Sequence, residues 1–203
     1  MTSPGLRERK KQDTRRALAE ATLRLAVESG LSAVTVEQIA AAADVSYRTF
    51  FNHFSSKEEA LLLPEGRDDG RFARRLAEQD PALPPLEAGR AALQEELATL
   101  EADRSAWQRR LAVIAAEPQL VPRLVELSSA NEREMTRALA ARTGLDAERE
   151  LYPALLAAVL GCAVRVTLTH WCAADSRQPL TDLFSSALDA VAAGLPAPPP
   201  SSS

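Results

Sequence analysis

Residues 35–58, TVEQIAAAADVSYRTFFNHFSSKE, decide how this chain reads. The segment opens on Thr35-Val36-Glu37-Gln38, the pattern of a capping box, in which a threonine hydroxyl and a glutamine side chain satisfy free backbone donors at a helix start. The spacing predicts a short helix to about Ala43, a turn at Asp44-Val45, and a second short helix capped by Ser46 and ending near Phe54. At about 100° per residue, Phe50 and Phe54 share a face and would pack with Ile39, Ala40 and Val45, while Arg48, Thr49 and Asn52 point away. Two short helices joined this way form a helix-turn-helix, whose first member supports and whose second enters the major groove of DNA.

Upstream, a first helix is expected from Arg7 or Asp13 to Ser29. Leu18, Ala21, Thr22 and Leu25 lie on its inner face, Gly30 closes it in a left-handed conformation, and Leu31 folds back onto the last turn. Downstream, Ser55-Ser56-Lys57-Glu58 reads as another capping box, opening a fourth helix that is interrupted at Pro64-Glu65-Gly66 and resumes to about Gln79. Past Pro81, Pro84 and Pro85, helices are expected at 86–103, 105–117, 121–143, 147–172 and 180–193, punctuated by Pro118, Gly144, Pro179 and Gly194. The expectation is an all-α fold of about nine helices. It comprises a helix-turn-helix DNA-binding domain over 1–55, a larger helical domain over 56–195, and a disordered Pro/Ser tail over 196–203.

Composition agrees with helix. Of 203 residues, 46% are hydrophobic but only 4% aromatic, so the apolar content is mainly Ala and Leu. A formal net charge of −4 argues against a protein that coats nucleic acid throughout, yet the charge is uneven. Between Leu6 and Arg24 seven cations face three anions, which places +4 there and −8 on the remainder. Arg7, Arg9, Lys10, Lys11, Arg15, Arg16 and Arg24 make this the end suited to anions.

Cys162 and Cys172 sit on one expected helix roughly 15 Å apart, too far for a disulfide. The basic N-terminus lacks the apolar core of a secretory signal, so the expected residence is cytoplasmic. Residues 151–172 are long and uncharged enough to span a bilayer. Pro153, Arg165, the Ala/Gly-rich composition and the lack of a second such segment favour a buried soluble helix instead, with no membrane partner.

Gly30-Leu31, Thr35-Val36-Glu37-Gln38-Ile39-Ala40, Asp44-Val45-Ser46, and the run from Thr49-Phe50-Phe51-Asn52-His53-Phe54 through Ser55-Ser56-Lys57-Glu58 together resemble the N-terminal signature of the TetR family. The likeness covers residues 10–62. It implies that Tyr47, Arg48 and Thr49 approach base edges and that Thr35, Ser46, His53 and Lys57 lie on phosphates. Physical chemistry is compatible with these roles, because Arg48 can offer two donors to guanine, and helix starts at Thr35 and Lys57 favour phosphate. The chain departs from the family pattern at Asp44, where glycine is common, and at Phe51, where tyrosine is frequent and could reach phosphate.

No residues support catalysis. His53 and His170 lack ligand-like spacing with Cys, Asp or Glu, and neither a phosphate-cradling glycine loop nor a nucleophile elbow is present, so neither enzyme activity nor a cofactor or metal is expected. In the C-terminal part, the segment 154–164 is apolar around its whole circumference and requires burial on several sides. With Leu183, Phe184, Ala187, Leu188 and Val191 it could form a four-helix interface across a twofold axis, or these helices could pack within one monomer.

The family resemblance implies a homodimer on palindromic double-stranded operator DNA, released when a small-molecule effector enters the helical core. Arg165, if buried, would need an anionic or carbonyl partner and is the first candidate for an effector anchor, with Trp107, Arg110 and His170 as further pocket candidates. Residues 107–171 also resemble the mycofactocin-regulator-like subgroup, which implies an acyl-CoA-like ligand, whereas a hydrophobic drug or metabolite would suit an apolar pocket equally. Other readings of the residues are a helical enzyme or sequestering protein whose N-terminal module is only a cap, and a scaffold that uses the uncharged helix as a partner groove.

Overall fold

The computed structural model describes residues 6–64, 70–173 and 178–197. Among these, the fold is all-α with ten helices: α1 (Leu6–Ser29), α2 (Val36–Ala42), α3 (Tyr47–Phe51), α4 (Lys57–Leu62), α5 (Arg71–Glu78), α6 (Pro85–Glu101), α7 (Arg104–Ala116), α8 (Val121–Thr143), α9 (Leu151–Ala173) and α10 (Leu180–Ala192). Short 3-10 turns occupy Leu31–Ala33, between α1 and α2, and Pro118–Leu120, before α8. Ten replaces the expected nine because the fourth helix ends at Leu62 and α5 begins only at Arg71, after Gly70 at φ 77°. The expected interruption at Glu65-Gly66 and the tail from residue 198 lie outside the described residues, as do the side chains of Leu6, Arg7 and Glu8.

Local chemistry explains most of the boundaries. Thr35 makes the expected capping box, its hydroxyl accepting from Gln38 N while Gln38 Oε1 accepts from Thr35 N at 2.8 Å. The box at α4 is shifted by one residue from expectation. Ser56, not Ser55, is the cap and accepts from Glu59 N at 3.2 Å, and the Glu59 carboxylate reaches back to Ser55 N at 3.1 Å. Glu59 rather than Glu58 is therefore the inward carboxylate, at 3% exposure.

Helix α9 begins at Leu151, not 147, because Asp146 Oδ1 accepts from Glu148 N at 2.8 Å and ties the preceding residues into a turn. Pro153 then falls in the first turn, where a missing N–H costs nothing. Helix α1 already includes Leu6, so of the two expected starts the earlier, near Arg7, is the one found and the basic stretch is helical.

The chain divides into two compact units: residues 1–69 with 105–131, and residues 70–104 with 132–203. The first has two apolar cores. One gathers Leu18, Ala21, Val34, Ile39, Phe50, Phe54 and Ala60, with Val45 packed against it, as the helix periodicity predicted. The other joins Leu23 and Ala26 of α1 with Leu31, Leu61, Val113 and Leu120, so α7 closes the back of the N-terminal helices.

In the second unit, α6, α9 and α10 pack on one another and α5 packs on α6. Phe184, Leu188 and Leu160 are fully buried there. The approach of α6 to α9 is close: a Cβ on Gly89 would lie 2.6 Å from Leu160 Cδ1. Arg90 bridges to Asp189 at 2.6 Å, and Glu101 accepts from Thr181 N at 2.9 Å, tying both ends of α6 to α10.

Candidate nucleic-acid interface

Helices α2 and α3 are joined by a turn that the sequence makes without glycine. Asp44 adopts φ 53°, its N–H bonds to Ala41 O at 3.1 Å, and Val45 N reaches Ala40 O at 2.9 Å. This is the double closure of a Schellman motif, in which a short acidic side chain tolerates the left-handed position that usually falls to glycine. Gly30 also has positive φ, but its ψ of 141° is extended rather than left-handed helical, a conformation open to glycine alone.

Helix α3 ends at Phe51, three residues before the expected end near Phe54, and is anchored from one side by Phe50 and by Phe54 in the turn that follows. Phe50 and Phe54 are 0% and 1% exposed, whereas Tyr47 and Arg48 are exposed and Thr49 half-buried. Ser46 caps the helix, accepting from Thr49 N at 3.0 Å and sharing a 2.7 Å hydrogen bond with the Thr49 hydroxyl. Thr35 and Ser46 are exposed at consecutive helix starts. Along α1, Arg9, Lys10, Lys11 and Arg16 are exposed, while Arg15 lies over the Phe54 ring at 4.2 Å.

His53 is half-buried, with its Nδ1 enclosed and, among the described residues, without a hydrogen-bond partner. Burial first, then the positive charges of Arg15 and Lys11, hold its pKa below the ordinary imidazole value, so a neutral ring faces a cationic neighbourhood.

Lys57 has a different placement from its neighbours. Its ammonium donates to Leu31 O at 2.9 Å, Val34 O at 2.8 Å and Ser32 O at 3.3 Å, which engages all three N–H bonds inside the unit. The same turn is held from its other side: Glu117 accepts from Leu31 N, from Ser32 N at 3.3 Å and from the Ser32 hydroxyl at 2.9 Å, and Gln119 donates to that hydroxyl at 2.9 Å. Arg123 donates to the Ser55 hydroxyl at 3.2 Å and stands 3.9 Å from the Glu59 carboxylate. Sequence reading missed Glu117, Gln119 and Arg123, because these partners lie 64 to 87 residues away and no local periodicity encodes such pairs.

The four pocket candidates have ordinary structural settings. Trp107 and Arg110 stack with 4.6 Å between guanidinium carbon and ring centre. Arg110 is 4% exposed and its Nε donates to Leu61 O at 2.6 Å, so it fastens α7 to the end of α4. Arg165 and His170 lie on the exposed side of α9, and among the described residues the Arg165 guanidinium reaches Cys162 Sγ, at 3.4 Å. The condition of a buried cation on α9 is therefore not met.

A cleft of about 360 Å³ in the second unit is lined instead by Ala73, Leu76, Pro81, Ala138 and Arg142. Its arginine is already bonded to Leu76 O and Asp80 O.

Two sequence profiles match the chain, one for bacterial regulatory proteins of the tetR family over residues 18–62 and one for the MftR C-terminal domain over residues 83–196. The chain belongs to the TetR family of transcriptional regulators. It is 33% identical over 196 residues to the HTH-type transcriptional regulator TcmR of Streptomyces glaucescens, covering 93% of this chain and 87% of that one. Among solved TetR-like structures, the SmeT–triclosan complex matches at TM-score 0.56 and 21% identity, over 93% of this chain and 99% of the other. FadR of Bacillus subtilis in complex with stearoyl-CoA matches at TM-score 0.51 and 20% identity, over 88% and 97%. As a TetR-family regulator, the chain carries DNA-binding chemistry in the helix-turn-helix just described.

Proposed function

We propose that this protein is a cytoplasmic, non-enzymatic repressor that binds palindromic operator DNA as a homodimer and is released by a small-molecule effector. The observation that carries the DNA reading is the two-sided character of α3 and the turn after it: Phe50 on the helix and Phe54 just past its end are buried while Arg48 is exposed. In this reading Tyr47, Arg48 and Thr49 meet base edges, and Thr35, Ser46, His53 and the helix start at Lys57 meet phosphate. Lys57's ammonium holds the Leu31–Ala33 turn. Exposed Arg9, Lys10, Lys11 and Arg16 add attraction to phosphate that is independent of sequence. Residues 1–55 then carry the DNA contacts, and 56–195 the effector and dimer surfaces.

The homodimer is supported by α9. Its span, in which Arg165 is the one charged residue, is long and apolar enough to cross a membrane, with 33% of that window buried. Leu151, Leu155 and Val166 are 76%, 54% and 49% exposed, and Cys162 is exposed between them, so an apolar stripe at helical spacing is left uncovered by the chain itself. A second copy on this stripe buries it by isologous contact and supplies the paired reading heads a palindrome needs.

The effector of this reading is hydrophobic or acyl-CoA-like. Stearoyl-CoA in the FadR structure has a long apolar acyl chain on a polyanionic coenzyme A head, and triclosan in the SmeT structure is a small apolar aromatic, so the two support an acyl-CoA-like and a hydrophobic effector respectively.

The deciding experiment is selection of bound fragments from random duplex DNA by the full-length protein. Enrichment of an inverted repeat, with half-sites about 34–36 Å or a multiple apart, is the expected result. Recovery of fragments with no common sequence would overturn the reading. Titrating the recovered complex with acyl-CoAs and with triclosan then tests the effector class, by loss of retained DNA.

A further inference from the structure

The helix-turn-helix core leaves one aromatic pair on α3 unused. Tyr47 and Phe51 are 51% and 45% exposed, and their rings meet edge to face with centroids 4.9 Å apart and planes at 63°. Phe51 is backed in turn by buried Phe50, at 5.3 Å and 79°. The three rings form a stack from core to surface, so the outermost edges are held in one place instead of sampling several rotamers. Sequence reading treated Phe51 only as the loss of a tyrosine hydroxyl. The structure gives its ring a positive role, because two large apolar side chains in water on a five-residue helix need a reason.

The surroundings restrict the partner. Arg48 is exposed on the same helix, α3 carries no carboxylate, Arg15 lies over the Phe54 ring, and the charges of Arg15 and Lys11 reach His53, two residues past Phe51. A cationic setting of this kind selects a polyanion. Within duplex DNA, the apolar group that a major-groove helix can touch is the C5 methyl of a pyrimidine, borne by thymine.

Resting on the DNA-reading function above, we infer that the Tyr47–Phe51 pair is a specificity element that seats a thymine methyl in each operator half-site, next to the base whose acceptors Arg48 reads. Phe51 presents the apolar surface, and Tyr47 closes over it from the helix start.

The test uses an operator recovered from a duplex library made with ordinary dCTP, so that thymine alone carries the methyl. The operator is then rebuilt with deoxyuridine at single thymine positions. Base pairing is unchanged and only the methyl is removed.

One position per half-site should respond, weakening binding about fourfold for each methyl and about fifteenfold when both half-sites are changed. Phe51→Ala and Tyr47→Ala should each bind the thymine operator more weakly and bring the thymine-to-uracil ratio close to one. That ratio compares two DNAs on the same protein, so a general loss of folding does not produce it. Equal binding of thymine and uracil operators by the wild-type protein would overturn the inference while leaving DNA reading intact. A ratio that persists in both variants would do so as well. A library that enriches nothing removes DNA reading itself.

Discussion

The Glu117 carboxylate accepts the backbone N–H of Leu31, 86 residues earlier in the chain. Leu31 is 1% exposed, and the turn it opens leads directly into α2. With Lys57 on the carbonyls of the same turn and Glu117 on its N–H groups, the link between α1 and the helix-turn-helix is satisfied from both sides. Removing one partner leaves a partly buried donor unpaired, which costs about 1–3 kcal/mol. Glu117→Ala should therefore destabilise the protein by about that amount in urea unfolding. Glu117→Gln, which keeps an acceptor, should recover more than half of the loss. Equal stability of Glu117→Ala and wild type would show that water replaces the carboxylate without cost.

The apolar stripe on α9 gives a prediction about assembly. Leu155 is 54% exposed in the single chain, and a charge there faces only water if the protein is monomeric. Leu155→Arg should shift the protein from dimer to monomer in sedimentation at micromolar concentration. It should also weaken operator binding by more than tenfold, since two linked heads bind far more tightly than one. A variant that sediments like wild type would place the dimer contact elsewhere.

How far the sequence carried the reading depended on the range of each interaction. The capping box at Thr35, the paired phenylalanines and the turn at Asp44-Val45 all act within five residues, so spacing alone located them. The start of α9 was misplaced by four residues because Asp146 could equally have capped a helix or, as found, tied a turn. Arg110 and Arg165 were misjudged for a related reason. Periodicity gives the face of a helix but not what lies opposite, and Arg110 proved buried against Leu61 O while Arg165 proved exposed. The grip of Glu117 and Arg123 on the helix-turn-helix is wholly tertiary, and nothing in either local segment announces it.

His53 should make stability depend on pH. Burial, followed by the charges of Arg15 and Lys11, lowers its folded pKa below the ordinary 6.5, so the unfolded chain takes up the proton first as pH falls. The stabilisation is full above the unfolded value and is lost as pH falls from there through the depressed folded value. Between about pH 7.5 and 5.5, wild type should lose stability relative to His53→Gln, which keeps a polar side chain without titrating there. Parallel urea midpoints for the two proteins across that interval would mean that the imidazole ionises alike in both states.

Arg48 and the cations of α1 should separate cleanly in their effects on DNA. Arg48 is exposed on α3, where a bidentate contact to guanine discriminates by about 1–3 kcal/mol. Arg48→Ala should therefore weaken the selected operator by about tenfold or more, bring a guanine-substituted operator close to the original, and leave unfolding and dimer mass unchanged. Lys10 and Lys11, exposed on α1, carry no base information if they meet only phosphate. Replacing either with Ala should weaken operator and unrelated duplex alike, and reduce the slope of log affinity against log salt by about one for each phosphate no longer neutralised. Titration of wild type and the three variants at several salt concentrations distinguishes the two roles. A steep loss of salt dependence in Arg48→Ala with its sequence preference intact would reassign that arginine to the backbone.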